Sequence, residues 1–250
     1  MKSIFLSVII PSFNEKKNLK RGVLESVRDY LSKQNYSWEV ILSDDQSTDG
    51  TTELLKKFVQ DNKGFHVLEN RHGGKGPTVS KGILAAVGKW RLFSDFDQST
   101  PINELEKFIK HTDKHDFIIA SREGAGAKRY KEPWYRHFIG RGFNFLIRII
   151  TGLKIKDTQC GFKLIEGKLA EKIIKKLIVY KPSRASRRAF TGAYDVELLY
   201  LTKKFKKSIH AIPVKWSHHE TNRVNPIIDS VLMLIDIIKI RVTDLLGKYD

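Results

Sequence analysis

The sequence predicts an α/β fold with a mostly parallel central sheet and helices on both faces. Three observations carry that reading. Short β-branched or aromatic runs alternate with stretches whose apolar residues recur at helical spacing. Polar turns rich in Asp, Asn, Ser and Gly separate them. The 250 residues are 41% hydrophobic, enough to bury one substantial core in a single domain.

The elements follow in order. Phe5 to Ile10 is a β-branched run stopped by Pro11, a first strand with a turn behind it. Asn14 is placed to cap a helix over Leu19 to Leu31. Trp38 to Leu42 reads as a second buried strand, ending in the polar turn Ser43 to Gly50. Ser47, Thr48 or Asp49 can cap a helix that starts near Thr51 and runs through Leu54, Leu55 and Phe58. Phe65 to Glu69 is a third strand. Gly73-Gly74-Lys75-Gly76-Pro77 is a flexible turn before a helix through Val79, Ile83, Ala86 and Val87. Trp90 to Ser94 is a fourth strand, Pro101 opens another helix, and Asp116 to Ala120 is a fifth strand. This rhythm requires crossover connections, hence parallel pairing.

Beyond about Ser121 the rhythm breaks. Glu123 to Tyr130 is polar and Gly-rich and reads as a mobile loop. Trp134 to Leu153 mixes aromatics and isoleucines with Arg136, Arg141 and Arg148. Ile209 to Trp216 reads as a late strand, and Pro226 to Leu246 as an amphipathic helix.

The formal net charge of +17 points to polyanionic partners: nucleic acid, anionic headgroups or phosphorylated substrates. The single cysteine, Cys160, excludes an intrachain disulfide framework and suits a reducing compartment. The first residues read as a strand rather than a signal peptide. No apolar run approaches the ~20 residues of a membrane span. The expected place is the cytoplasm, peripheral on the cytoplasmic face of a membrane.

Four polar clusters fall at strand ends, where ligands sit in open α/β sheets: Pro11 to Glu15, Asp44 to Asp49, Gly73 to Gly76, and Asp95 to Asp97. Asp95-Phe96-Asp97 offers two hard carboxylates to Mg2+ or Mn2+, which would neutralise a diphosphate leaving group. Read alone it is equally a solvated turn. Asp44, Asp45 and Glu15 can accept hydrogen bonds from a ribose hydroxyl or a base N–H. Gly73 to Gly76 lacks the spacing and Ser/Thr of a nucleotide-triphosphate phosphate loop, yet a Gly-rich turn with Lys75 still lets the backbone approach a diphosphate. Arg122, Arg129, Arg136 and Arg141 can bind a phosphate through charge-assisted hydrogen bonds, or lie on a solvated face. Cys160 lacks a partner base, and the adjacent His218 and His219 share no face, so both histidines are read as surface residues. A nucleic-acid-binding module would suit the charge but leaves the strand-end carboxylates unexplained.

Together these residues resemble glycosyltransferase family 2. The carrying segments are Ser7 to Glu15, Asp44 to Thr51, Asn70 to Gly76 and Asp95-Phe96-Asp97. Asp157-Thr158-Gln159-Cys160-Gly161-Phe162-Lys163 and Tyr194 to Leu199 narrow the match to the branch that uses dolichyl or polyprenyl phosphate. The tail from Val224-Asn225-Pro226 through Gly247-Lys248-Tyr249 looks most like its glucosyl members. The resemblance implies a GT-A fold over 1–250, with a nucleotide-sugar half (1–121) and an acceptor half (122–250). It implies inverting transfer of a hexose to a polyprenyl phosphate, with UDP-glucose the favoured donor and GDP-mannose the alternative. A soluble or cell-surface glycan acceptor is a further alternative.

By the same resemblance, Pro11, Phe13, Glu15, Asp44, Asp45 and Lys75 line the nucleotide-sugar pocket. Asp95 and Asp97 hold Mg2+ or Mn2+ and the diphosphate, Asp97 being the favoured direct ligand. Arg122, Arg136, Arg141 and Gln159 meet the acceptor. Two departures stand out. Gln46 replaces the glycine common in this turn, a position that favours φ > 0. No segment of this sequence reads as the transmembrane anchor that many relatives carry, so membrane contact is expected from Trp134 to Leu153 and Pro226 to Leu246.

Overall fold

The computed structural model describes residues 3–183, 192–219 and 226–250. Strand β1 (Leu6–Ser12) shows why the chain forms a buried sheet. Leu6, Val8 and Ile10 point into one apolar cluster and Ile9 into another, the period of two that buries a strand on both faces. The chain continues through α1 (Lys16–Leu19), α2 (Val23–Leu31), β2 (Trp38–Asp44), α3 (Thr51–Asp61), β3 (Phe65–Glu69), α4 (Lys75–Ala85) and β4 (Trp90–Ser94). In α2 the buried residues Val23, Leu24, Val27 and Leu31 recur at helical spacing.

The second half holds α5 (Leu105–Ile109), β5 (Phe117–Ser121), β6 (Lys128–Tyr130), α6 (Trp134–Thr151), β7 (Phe162–Glu166), α7 (Gly167–Lys176), α8 (Tyr194–Lys204), β8 (Ile209–Pro213), β9 (Lys215–Ser217) and α9 (Pro226–Leu245). The main sheet runs β3-β2-β1-β4-β7-β5-β8. Only β7 is antiparallel to its neighbours. One face packs on α2, α3 and α5, the other on α4, α7, α8 and parts of α6 and α9. The chain steps outward from β1 to β3, then α4 carries it back across to β4 on the other side of β1. Strand order therefore reverses between β1 and β4, and the crevice outside their carboxyl ends is where such sheets bind ligands.

Several expectations change. Asn14 caps no helix; it takes φ 55°, and its Oδ1 accepts from the Thr48 N–H at 2.8 Å. The first helix is split in two by Gly22, whose φ is 73°. Asp49 is the candidate that accepts from the Thr51 N–H, at 3.0 Å from just outside α3. The segment read as a mobile loop ends in β6, which pairs in parallel with β9. The single late strand divides at Val214 into β8 and β9, in different sheets. Strand β7 and helices α7 and α8 were not anticipated. Val224 and Asn225 lie outside the described residues.

Candidate active site

At the end of β1, Pro11 is half-buried, and the Phe13 ring stacks on His72 with centroids 4.8 Å apart. Glu15 is buried; its N–H donates to Thr51 Oγ1 at 2.7 Å and its carboxylate accepts from Asn18. At the end of β2 the Asp44 carboxylate is only 1% exposed. It accepts from Ser12 Oγ, the Ser47 N–H, Ser47 Oγ and Thr52 Oγ1 at 2.6 to 3.0 Å. Those four bonds use the capacity of both oxygens. Asp44 therefore shapes the turn at the end of β2.

Asp45 is also bonded within the protein. It accepts from the Gly73 and Gly74 N–H groups at 2.8 and 2.9 Å and meets His72 Nδ1 at 2.9 Å. It thus ties the Gly-rich turn to the end of β2. Gln46 keeps the left-handed conformation with φ 61°, and its Oε1 accepts from the His72 N–H. The glycine replacement is absorbed by a side chain that gains a partner in that same turn.

The turn delivers Lys75 to the start of α4, where its ammonium pairs with Asp95 beyond the end of β4. Burial opposes that charge, but Asp95, Asp195 and Asp97 outweigh it and hold the lysine above its ordinary pKa. Behind this pair, fully buried Lys163 donates to Asp195 and to the Cys160 carbonyl, both at 2.5 Å. Carboxylate and ammonium thus alternate from Asp95 through Lys75 and Asp195 to Lys163. Gly161 closes over Asp95: its carbonyl accepts from the Asp95 N–H at 3.0 Å, and a Cβ there would collide with the Asp95 carboxylate.

Asp97 is half-buried and accepts from the N–H and Oγ of Ser99, both at 2.9 Å. Burial lowers the His219 pKa first, and Asp97 lies near enough to oppose that shift. Two hard carboxylates two residues apart at a strand end fit Mg2+ or Mn2+. Asp95 already faces a cationic group, the Lys75 ammonium, so its setting suits positive charge.

On the other side of the crevice, Arg122 is committed. Its Nε and Nη2 donate to the two oxygens of Asp157 at 2.8 and 2.9 Å, and its guanidinium lies 5.2 Å over the Trp216 ring. Burial opposes both charges, but the pairing holds Asp157 far below the usual carboxylate range. The fork anchors the segment that carries Gly161. Arg129 is also spent, on Glu123 and Glu132. Arg141 is exposed on α6 and has no hydrogen-bond or ion-pair partner among the described residues. The Arg136 side chain lies outside the described residues. Gln159 is half-buried and donates to Met233 Sδ at 3.6 Å, linking this segment to α9. Burial, with Asp157 nearby, pushes the Cys160 thiol up to about 11, which suits a core residue rather than a nucleophile.

Sequence reasoning quoted Gly161, Lys163 and Asp195 within its motifs but gave them no role in the site. A signal existed for Lys163. Phe162 and Leu164 face one apolar cluster and Ile165 the other, so strand alternation puts Lys163 on an inward face. The polar residues just before it hid the strand.

The sequence model described as "Glycosyl transferase family 2" matches residues 7–174. The chain is 30% identical to the dolichyl-phosphate beta-glucosyltransferase of Dictyostelium discoideum, over 99% of this chain and 77% of that protein. It is 30% identical to the enzyme of the same name from Homo sapiens, over 98% of this chain and 77% of that one. Among solved structures it resembles glucosyl-3-phosphoglycerate synthase from Mycobacterium tuberculosis in complex with Mn2+, UDP-glucose and phosphoglyceric acid. That likeness has a TM-score of 0.63 at 14% identity and covers 96% of this chain and 80% of that one. It also resembles S. aureus TarS 1-349 in complex with UDP-GlcNAc, with a TM-score of 0.54 at 21% identity, over 88% of this chain and 60% of that one. These structural likenesses establish the GT-A fold.

Proposed function

The chain belongs to glycosyltransferase family 2, and we propose that it transfers a hexose, glucose from UDP-glucose in the favoured reading, with inversion to a dolichyl or polyprenyl phosphate. The observation that carries this reading is the joining of strand-end motifs at the β1/β4 switch point. Asp45 ties the Gly73-Gly74 turn in place, and that turn sets Lys75 against Asp95. A lysine at a helix start beside two carboxylates is an arrangement for a diphosphate and a divalent cation.

Phe13 and Pro11 offer apolar surface for the base, and Glu15 stands at the same rim. Asp95 and Asp97 would hold Mg2+ or Mn2+. The cation, when bound, supplies charge neutralisation for the departing nucleoside diphosphate. Lys75 adds a second positive charge there. An oxygen of the acceptor phosphate forms the new bond to the anomeric carbon as the bond to the diphosphate breaks. A lipid phosphate is ionised near neutral pH, so no side chain must remove a proton. Arg141, exposed and without a described partner, has a charge to offer the acceptor phosphate.

A membrane-borne acceptor also fits the outer helices. Helices α6 and α9 pack together, and Ile139, Phe145 and Ile149 on α6, with Val231, Ile235 and Val242 on α9, are exposed. No described helix is long and apolar enough to cross a membrane. These faces would rest on the cytoplasmic surface of a bilayer, aided by the net charge of +17.

The test is transfer of labelled sugar from UDP-glucose, and in parallel from GDP-mannose, to a short polyprenyl phosphate with Mg2+ or Mn2+. Transfer from UDP-glucose alone, abolished by EDTA, is the expected result. Transfer only from GDP-mannose would change the donor, and transfer only to a soluble glycan would overturn the lipid acceptor. In this assay Arg141→Ala is expected to raise the acceptor KM by roughly 10- to 100-fold, the worth of one charge-assisted hydrogen bond. The donor KM is expected to hold. An unchanged acceptor KM removes Arg141 from the site.

Gly161→Ala tests the close approach to Asp95. Its methyl group must displace the carboxylate, and a displacement of about 1 Å near reacting groups costs on the order of 10²-fold in kcat. Wild-type turnover in a folded Gly161→Ala variant would show that Asp95 need not sit where it does.

A further inference from the structure

A cluster of three histidines lies remote from this crevice. His111 and His115 lie four residues apart, and the His115 N–H donates to the His111 carbonyl at 3.1 Å, so one helical turn sets both rings on one side. His210 reaches them from β8, the edge strand of the main sheet. Its ring is 4.4 Å from His115, nearly parallel at 4°, and 4.6 Å from His111. One ring nitrogen from each of the three lies within 4.8 Å of the others. Among the described residues this is the one group of three or more His, Cys, Asp or Glu side chains gathered so closely.

We propose that His111, His115 and His210 form a second metal site, taking a borderline transition cation, Zn2+ above all, with a position left open for water. The chemistry of the donors selects the metal. Three imidazoles with no carboxylate suit Zn2+, Cu2+ or Ni2+ and not Mg2+, whose ligands are oxygens. Two histidines separated by three residues, with a third from a neighbouring element, is a spacing that brings nitrogens to a single ion.

One further observation points to a ligand. His115 Nδ1 is buried and has no hydrogen-bond partner, a cost that a coordinate bond would remove. The site lies apart from the crevice. His210 pairs with Ile118 near the start of β5, at the opposite strand ends from Asp95. It is three strand positions from β4, roughly 14 Å across the sheet. A metal here would clamp the turn before β5 to the exposed edge strand, a stabilising role.

The test is titration of the full chain with Zn2+, and separately with Co2+ read by its visible absorption, in the wild type and in an Asp97→Ala background. The expected result is one Zn2+ per chain in both, an intense four-coordinate Co2+ band, and a melting temperature raised by roughly 5–10 °C at saturating metal. His210→Ala is expected to weaken binding at least about tenfold and remove the band while leaving sugar transfer unchanged. His111→Gln provides the same readout should His210→Ala fold poorly. Equal Zn2+ affinity in wild type and both histidine variants would overturn the site. So would a band that disappears with Asp97→Ala and survives the histidine substitutions.

Discussion

Asp97→Ala is expected to lower kcat for sugar transfer on the order of 10³-fold while leaving the protein folded and able to bind nucleotide. The substitution takes away a carboxylate that stands two residues from Asp95, and with it half of the oxygen donors proposed for the cation. Asp97 also accepts from the Ser99 N–H and Oγ, so the alanine variant loses a local turn as well as a charge. Ser99→Ala and Asp97→Asn separate these effects. Ser99→Ala keeps the carboxylate and is expected to remain active. Asp97→Asn keeps an acceptor for the turn but loses the negative charge, and is expected to be nearly as impaired as the alanine variant. Near-normal activity in Asp97→Ala would sink the metal assignment. If wild type and variant both bind nucleotide-sugar and neither transfers it, the chain is a binding protein and the catalytic reading fails.

The first half of the chain was legible in the sequence because its signals are local. Each strand there is a short apolar run, each ends in a polar cluster, and the order of elements dictates crossovers. What could not be read was how the clusters spend their hydrogen bonds. Asp44 and Asp45 sit side by side, and from sequence both look like ligands. In the folded chain one bonds its own turn and Ser12 of β1, and the other grips a loop 28 residues away. Arg122 shows the same limit at longer range. Its partner Asp157 is 35 residues distant, across a helix, and no local pattern announces the pair. Strand β7 was hidden for a different reason. It runs antiparallel within a parallel sheet, is only five residues long, and carries a buried lysine at an inward position. The histidine cluster had a partial signal in the spacing of His111 and His115, but the third member arrives from the sheet edge, which only the topology reveals.

Asp157→Ala is expected to destabilise the fold by about 3–5 kcal/mol, because it strands a buried guanidinium. For a chain of this size that lowers the melting temperature by roughly 6–20 °C. Asp157 is 1% exposed and accepts from Nε, Nη2 and the backbone N–H of Arg122, and from the Gln159 N–H at 3.2 Å. Removing it leaves four donors without that acceptor. The effect has a pH signature whose sign follows from the depressed pKa of Asp157. A carboxylate held below its unfolded value of about 3.9 stabilises the native state above that pH. The contribution is lost as pH falls toward the folded value. Wild type is therefore expected to lose stability below about pH 4 more steeply than Asp157→Ala, and the gap between their melting temperatures to narrow there. Arginine stays charged throughout, so Arg122 adds no opposing titration. The same segment carries Gly161 against Asp95, so the variant is also expected to transfer sugar poorly at temperatures where it remains folded. A melting-temperature gap that stays constant from neutral pH into the acid range would show that the pair contributes through packing against Trp216 rather than through charge.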